Sequence, residues 1–306
     1  MGKVYGLIGY PVKHSLSGVM HNAAFKYLGM DAEYRIFEII PEELEDFLLD
    51  PQKLVKDLKG NTIPAKEIVG FNITIPHKVQ AKDILDRSEL FKGEDSYYVE
   101  LSGAINTVKR VPPGGVYYNT DAYGFETTLK NDLQFTSKGE KNALVIGCGG
   151  AGRVIVAVLV KGGIGIKKIH IYDKNKEAVE YAKNHFLKYF HKYPYIKEKI
   201  MFVSQEDIPN LITDCQLLVN ASPVGMNSNT SPIDTELLHS RLYVYDVVYN
   251  RKTALIREAE KKCRSAIGGL NMLLYQGGAA FKIWTEKEPP LNIMQEALKK
   301  ELKDES

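Results

Sequence analysis

The fold is decided by ten consecutive residues, Ala143-Leu144-Val145-Ile146-Gly147-Cys148-Gly149-Gly150-Ala151-Gly152. Four apolar residues, typical of a buried strand, lead directly into a G-x-G-x-x-G turn, and residues 153–161 are compatible with a helix. Glycines at these spacings permit a tight turn, a close approach of the backbone to a pyrophosphate, and close packing of the helix on the sheet. The sequence therefore predicts a strand, a glycine loop and a helix in that order.

An acidic residue follows at the distance that this motif requires. Asp173 closes the next predicted strand, residues 168–172, about 20 residues further on, where a carboxylate can accept hydrogen bonds from ribose hydroxyls. A glycine turn that served only helix packing would explain the glycines but not the acid. We therefore predict a Rossmann domain that binds NAD(P). The residues expected to contact the cofactor in this segment are Gly147, Gly149, Gly150, Ala151, Gly152 and Asp173.

The length and the alternation of segments predict two α/β domains. A chain of 306 residues can form two cores, and strand-like and helix-compatible segments alternate both before and after the glycine loop. The first series predicts a mostly parallel sheet, and the helical C-terminal tail is expected to return to it. We predict a substrate-binding domain of residues 1–121 plus 270–306, a Rossmann domain of residues 122–269, and a cleft between them.

Charge and cysteine content exclude several classes of partner. The net charge of +2 comes from 40 basic and 38 acidic residues without long blocks of one sign, so neither nucleic acid nor an anionic membrane is indicated as a partner. The three cysteines have no metal-ligand spacing and indicate a reducing compartment. No signal-peptide pattern or membrane span is recognised. We expect a cytoplasmic monomer or homodimer that binds a small-molecule substrate and no metal.

Two upstream segments carry the residues suited to chemistry, Gly70-Phe71-Asn72-Ile73-Thr74-Ile75-Pro76-His77-Lys78 and Tyr118-Asn119-Thr120-Asp121. Both follow β-branched apolar runs, so their polar groups are expected at strand ends. Such groups can bind a polyhydroxylated ring, and Lys78 can donate a proton where negative charge develops on oxygen. Alternatively, Lys78 is a solvated lysine at a helix start, and Asp121 is the N-cap of the following helix.

Eight motifs, in one order over nearly the whole chain, resemble the shikimate dehydrogenases and their quinate/shikimate dehydrogenase relatives. They are residues 9–17, 70–78, 103–107 and 119–121, the glycine loop, and residues 220–226, 246–250 and 276–277 with 281–285. The resemblance implies reduction of the ring ketone of 3-dehydroshikimate to shikimate with a nicotinamide cofactor. That reaction belongs to the pathway leading to chorismate and the aromatic amino acids.

The resemblance also implies roles for individual residues. Lys78 and Asp121 match the catalytic pair of the family. The residues expected to bind the substrate carboxylate are Ser15 and Ser17, and those expected to hold ring hydroxyls are Asn72, Thr74, Asn106 and Gln276. A family tyrosine near the carboxylate and the nicotinamide matches Tyr249. Met226 and the backbone of Gly269 resemble the family's contacts to the nicotinamide side of the cofactor.

The cofactor motif departs from the family pattern. Many members that use NADP carry Asn-Arg-Thr or Asn-Arg-Ser after the second Rossmann strand, whereas this chain has Asp173-Lys174-Asn175. A carboxylate can accept from ribose hydroxyls and would repel a 2′-phosphate, which favours NAD, although Lys174 and Lys176 could still bind NADP. Our hypothesis is a preference for NAD, or use of both cofactors, against the family default of NADP.

Two other functions are weighed on the sequence. Quinate has an extra hydroxyl on the carbon that bears the carboxylate, so the space around Ser15, Ser17 and Tyr249 decides between it and shikimate, and the presence of both serines favours shikimate. A dinucleotide-binding sensor without turnover would predict the loss of Lys78, of Asp121 or of the ring-binding amides, and all of these are present. Residues 50–66 and 88–101 are longer than the usual connections and could shape the cleft rim, a dimer surface or nothing functional.

Overall fold

The structure is a computed structural model that describes residues 2–94, 96–135, 139, 141–161 and 164–304. The chain divides into two compact units. Unit 1 comprises Met1–Gly124 and Leu273–Ser306, and unit 2 comprises Phe125–Met272. The boundaries expected from the sequence, after residues 121 and 269, lie close to these.

Unit 1 is built on a six-stranded sheet. In spatial order its strands are β2 (Ala32–Glu38), β1 (Lys3–Gly9), β5 (Ile68–Ile73), β7 (Thr107–Val111), β8 (Gly114–Tyr118) and β6 (Phe91–Gly93). Strand β1 is parallel to both its neighbours and β6 is parallel to β8, whereas β7 is antiparallel to β5 and to β8. The connection from β7 to β8 consists only of Pro112 and Pro113, which is too short for a parallel crossover. The sheet is therefore mixed at this side.

Seven helices accompany the described part of this sheet. They are α1 (Ser17–Tyr27), α2 (Leu44–Leu49), α3 (Lys78–Asp86), α4 (Tyr97–Ser102), α5 (Thr120–Thr127), α11 (Leu270–Thr285) and α12 (Leu291–Asp304), with α5 and α11 running across the unit boundaries. Helix α3 buries Ala81, Ile84 and Leu85, a spacing that places one apolar face on the sheet.

The C-terminal tail packs on the unit 1 sheet through Trp284 of α11. A side chain at Gly70 would place its Cβ 2.5 Å from Trp284 Cδ1, so the indole lies directly against the strand backbone. The indole nitrogen donates to the Val108 carbonyl at 2.9 Å. Trp284 and Phe281 are both buried.

The two longer connections extend opposite edges of the same sheet. Residues 50–66 contain a hairpin of β3 (Leu54–Lys56) and β4 (Thr62–Pro64), which meets edge strand β2 where the Leu58 amide donates to the Ile36 carbonyl. Residues 88–101 supply β6 and most of α4 at the other edge. Both segments therefore cover strand edges that would otherwise expose unpaired backbone groups.

Unit 2 has a six-stranded sheet in which every pairing is parallel. Its spatial order is β11 (Ile200–Phe202), β10 (Ile166–Tyr172), β9 (Lys141–Ile146), β12 (Leu217–Asn220), β13 (Tyr243–Asp246) and β14 (Ser265–Ile267). Numbered within the unit, this is the order 3-2-1-4-5-6 of a Rossmann fold, so the predicted fold class is confirmed. Its helices are α6 (Gly150–Lys161), α7 (Lys176–Leu187), α8 (Tyr195–Lys199), α9 (Ile208–Ile212) and α10 (Ala254–Lys262).

Across the ranges that the structure describes, no helix is both long and apolar enough to span a bilayer.

Candidate active site

Lys78 and Asp121 form an ion pair at the starts of two helices in unit 1. Lys78 is the first residue of α3, and its Nζ contacts Oδ2 of Asp121 in the first turn of α5. Their side chains are only 14% and 6% exposed. The solvated-lysine interpretation of Lys78 is therefore wrong. The N-cap contact of α5 comes instead from Asn119, whose Oδ1 accepts from the Asp121 amide at 3.1 Å.

Asn106 orients the carboxylate of this pair. Its Nδ2 donates to Asp121 Oδ1 at 2.8 Å and to Gln276 Oε1 at 3.2 Å. Its Oδ1 accepts from the Thr120 amide at 2.7 Å and from Thr107 Oγ1 at 3.0 Å. The fold thus brings together four residues named from the sequence, and two threonines that were not named complete the arrangement. Both threonines lie in motifs of the family resemblance, but only the three-dimensional contacts reveal their partners.

Asn72 joins the same set of buried amides from the end of β5. It is 4% exposed, and its Nδ2 donates to the Asn106 carbonyl at 3.2 Å and to Thr107 Oγ1 at 3.0 Å. Its Oδ1 accepts from the hydroxyl of Tyr34 at 2.8 Å, a residue that sequence reasoning missed. Asn72 therefore belongs to one hydrogen-bonded cluster with Asn106, Asp121 and Lys78.

The loops after β1 and β5, which carry Ser15 and Thr74, run side by side. The Tyr10 amide donates to the Ile75 carbonyl at 3.0 Å. Ser15 Oγ accepts from the Ser17 amide at 3.3 Å at the start of α1. The hydroxyls of Ser17 and Thr74 form no hydrogen bond with any residue in the described ranges, so both are available to a ligand.

His77 anchors the start of α3 immediately before Lys78. It is fully buried, and its Nε2 lies 2.6 Å from the Ile39 carbonyl, a contact that requires the proton on Nε2. Burial lowers the pKa of His77, which favours the neutral ring. Its role is structural. No cluster of potential metal ligands occurs among residues that the structure describes.

The glycine loop of unit 2 fits a dinucleotide. Gly147 has φ +100°, and a Cβ on Gly152 would lie 2.0 Å from the Gly147 carbonyl oxygen, so both glycines are required by the close packing of strand and helix. A Cβ on Gly149 would meet no atom within 4 Å, which leaves open space above the loop. That space lies beside the N-terminal turn of α6, where Gly150 and Ala151 lie and where backbone amides and the helix dipole favour a phosphate.

Asp173 connects the glycine loop to the turn after β10. Its Oδ2 accepts from the Cys148 amide at 2.8 Å and its Oδ1 from the Asn175 amide at 2.9 Å. Each oxygen keeps a lone pair for a ribose hydroxyl. Burial and the Asp173 charge raise the pKa of the Cys148 thiol to about 12, so that cysteine is an inert filler. Lys174 is exposed beside this carboxylate.

A second carboxylate, Asp246, organises the loops of unit 2 that carry Met226 and Tyr249. Asp246 is fully buried and accepts from Asn220 Nδ2 at 2.9 Å, from Thr253 Oγ1 at 2.7 Å and from the Val248 amide at 3.1 Å. Burial raises its pKa. Asn220 and Asp246 lie within motifs of the family resemblance, but no role for either follows from the sequence alone.

The remaining residues named from the resemblance lie on these loops of unit 2 or pack against them. Asn250 Nδ2 donates to the Met226 carbonyl at 3.2 Å, which links the two loops directly. A Cβ on Gly269 would lie 2.2 Å from the Val247 carbonyl oxygen, so only glycine fits there. Tyr249, expected near the substrate carboxylate, is a half-buried residue of unit 2.

The chain is similar to known proteins over almost its whole length. Residues 7–108 match the family description "Shikimate dehydrogenase substrate binding domain", and residues 269–299 match "Shikimate 5'-dehydrogenase C-terminal domain". The shikimate dehydrogenase (NADP(+)) of Methanobrevibacter smithii is 35% identical over 308 residues, which cover 98% of this chain and 97% of that protein.

Two solved structures extend the agreement to the fold. A shikimate dehydrogenase crystallised with NADP+ is 33% identical with a TM-score of 0.79, covering 98% of this chain and 96% of the other. The enzyme of Listeria monocytogenes, in complex with shikimate and NAD, is 29% identical with a TM-score of 0.77, covering 97% and 96%. On identity sustained over almost its whole length, this chain belongs to the shikimate dehydrogenase family.

Proposed function

We propose that this protein is a shikimate dehydrogenase that reversibly reduces the ring ketone of 3-dehydroshikimate to shikimate. The observation that carries the proposal is the buried Lys78–Asp121 ion pair, joined through Asn106 to Gln276. A lysine used only for solubility would not be held in a cluster of buried amides. The relatives named above support the same reaction.

Lys78 is the proton donor of the proposed mechanism. The nicotinamide cofactor, when bound, supplies the hydride. As negative charge develops on the ketone oxygen, the ammonium stabilises it and transfers a proton to it. Asp121 keeps the ammonium in place, and Asn106 keeps the Asp121 carboxylate from rotating because it holds the second oxygen.

The substrate-binding roles follow from the polar groups that remain free or can exchange partners. We assign the substrate carboxylate to Ser15 and Ser17, with Tyr249 as a further contact. The ring hydroxyls are assigned to Asn72, Thr74, Asn106 and Gln276. Of these, the Thr74 hydroxyl is free of hydrogen bonds to the described residues, whereas the amides are already arranged by their neighbours before a ligand arrives.

Unit 1 is proposed to bind the substrate and unit 2 the cofactor. The open space at Gly149 and the helix start at Gly150 suit the pyrophosphate, and Met226 and Gly269 are assigned to the nicotinamide side. We propose that both cofactors are used and that the Asp173 carboxylate disfavours the 2′-phosphate of NADP. The monomeric or homodimeric state and the cytoplasmic location expected from the sequence stay predictions.

A steady-state assay of shikimate and quinate, each with NAD+ and NADP+, tests the proposal. Turnover of shikimate that depends on Lys78 supports it. Turnover of quinate alone would make the protein a quinate dehydrogenase. Saturable cofactor binding without any substrate-dependent change in nicotinamide absorbance would indicate a sensor and refute the proposal.

A further inference from the structure

Tyr34 is a buried residue of β2 whose hydroxyl reaches the proposed substrate residue Asn72. Tyr34 and Asn72 are each 4% exposed, and the Tyr34 hydroxyl donates to Asn72 Oδ1 at 2.8 Å. Strand β1 separates β2 from β5, so the tyrosine must extend across a neighbouring strand to make this bond. Nothing in the motifs of the sequence points to such a contact.

The bond from Tyr34 completes the orientation of the Asn72 amide. Both Nδ2 hydrogens are already used, on the Asn106 carbonyl and on Thr107 Oγ1. Turning the amide over would place Oδ1 against the Asn106 carbonyl oxygen, which is repulsive because both atoms are acceptors. The amide therefore has one remaining capacity, the second lone pair of Oδ1. Asn72 can accept a hydrogen bond from a ligand but cannot donate one.

Tyr34 is itself fixed by two consecutive residues of α1. Asn22 Oδ1 accepts from the Tyr34 amide at 2.7 Å, and Asn22 Nδ2 donates to the Tyr34 carbonyl at 3.0 Å. The ring of His21 stacks on the Tyr34 ring, with centroids 4.5 Å apart and an interplanar angle of 14°. The tyrosine is thus held at its backbone, its ring and its hydroxyl.

We propose that Tyr34 is a positioning residue that makes Asn72 an acceptor for one ring hydroxyl of the substrate. This inference rests on the proposed function. The site must hold both the ketone and the alcohol at the reacting carbon, and a ketone oxygen cannot donate to Asn72. The hydroxyl that Asn72 recognises is therefore one of the two that do not react, on C4 or on C5 of the ring.

The test compares Tyr34→Phe with the wild type on shikimate, 4-deoxyshikimate and 5-deoxyshikimate. For shikimate, kcat/KM should fall about tenfold through KM, with kcat within about threefold, because one hydrogen bond that prepares binding is lost. The loss should vanish for one of the two deoxy analogues and persist for the other. Tyr5→Phe is the matched control, since Tyr5 stacks on Phe25 and Trp284 in the same aromatic cluster and its hydroxyl makes no hydrogen bond within the described chain.

Other outcomes overturn the inference. Wild-type kinetics in Tyr34→Phe, an equal loss with all three substrates, or the same loss in Tyr5→Phe would each show that the hydroxyl does not act through Asn72. Failure of the wild type to turn over shikimate would instead refute the proposed function.

A second pair of variants covers the case in which Tyr34→Phe does not fold. With Asn72→Ala as background, the acceptor of the Tyr34 hydroxyl is already absent, so adding Tyr34→Phe leaves no further acceptor unpaired and should be tolerated. The single Asn72→Ala variant and the double variant should then have equal kcat/KM for shikimate. A further loss of about tenfold in the double variant would contradict the inference.

Discussion

The ammonium of Lys78 lies against one carboxylate oxygen of Asp121, although the two residues are 43 positions apart in the chain. Asn106 donates to the other oxygen, so the carboxylate is held from both sides. A largely buried ion pair loses much of its Coulombic gain to desolvation, and its presence is weak evidence for a stabilising role. The pair is better explained by the chemistry that it can perform.

Replacing Lys78 by alanine should lower kcat by a factor of about 10²–10⁴, because the proton donor and the charge that stabilises the developing oxyanion are removed together. The fold and cofactor affinity should remain, since Asp121 keeps its hydrogen bond from Asn106. Steady-state rates, thermal melting and cofactor titration measure these quantities. Lys82→Ala, which removes a lysine paired with Asp86 on the same helix, is the control. A nearly normal rate for Lys78→Ala would exclude lysine from the mechanism.

Two glycines of the cofactor loop should respond differently to alanine. Gly149→Ala should leave the stability nearly unchanged but weaken cofactor binding at least about tenfold, because the methyl group enters the space assigned to the pyrophosphate. Gly152→Ala should lower the free energy of unfolding by about 1–3 kcal/mol or more, since its Cβ would lie 2.0 Å from the Gly147 carbonyl oxygen. Denaturant unfolding and fluorescence titration with NAD(P)H measure the two effects. Equal cofactor affinity in Gly149→Ala and the wild type would contradict the assigned position of the cofactor.

The cofactor preference should shift when the charge of Asp173 is removed. Asp173→Asn removes the charge that repels a 2′-phosphate, and its one oxygen can still accept from the Cys148 amide, although the bond from the Asn175 amide is lost. The ratio of kcat/KM for NADP to that for NAD should rise about tenfold. Lys174→Ala should shift the same ratio in the opposite direction. An unchanged ratio in both variants would show that these residues do not contact the ribose.

Much of the fold was predictable because the relevant signals are local. The glycine loop, Asp173 and the alternation of strands and helices indicated the Rossmann unit, and the structure confirms that fold class. Helices α8 and α9 and strands β6 and β14 were not predicted, because elements of three to five residues are too short to show a period. The antiparallel pairing of β7 and β8 follows from their two-residue connection, within a sheet that the alternation predicts to be mostly parallel.

The site was predictable only where a motif carried its residues. Asn106 and Gln276 are 170 positions apart, and only the family resemblance suggested that they would meet. Tyr34, Thr107 and Asp246 have hydrogen-bond partners set by packing between separate elements, which a single sequence does not reveal. The burial of His21 among aromatic rings has a consequence for stability that the sequence did not show.

His21 should make unit 1 sensitive to acid. It is fully buried, stacks on Tyr34, and has no hydrogen-bond partner for either ring nitrogen within the described ranges. Burial lowers the pKa of His21 to about 3, whereas an unfolded histidine titrates near 6.5. As the pH falls below about 6.5, His21 binds a proton in the unfolded chain but not in the folded protein. The stability contribution is therefore complete above pH 6.5 and declines towards pH 3.

When the pH falls from 7 to 5, His21 alone should lower the free energy of unfolding by about 2 kcal/mol. The change should be absent in His21→Phe, which keeps an aromatic ring in the cluster. Burial also lowers the pKa of His77 and of His170, so the difference between wild type and variant is the quantity to compare. Trp284 is the single tryptophan of the chain, and its ring centroid lies 5.4 Å from that of His21. Its fluorescence therefore reports the unfolding of unit 1. Tyr5→Phe should keep the wild-type pH dependence of the unfolding free energy. If His21→Phe showed the wild-type pH dependence as well, His21 would have to bind its proton in the folded protein as readily as in the unfolded chain.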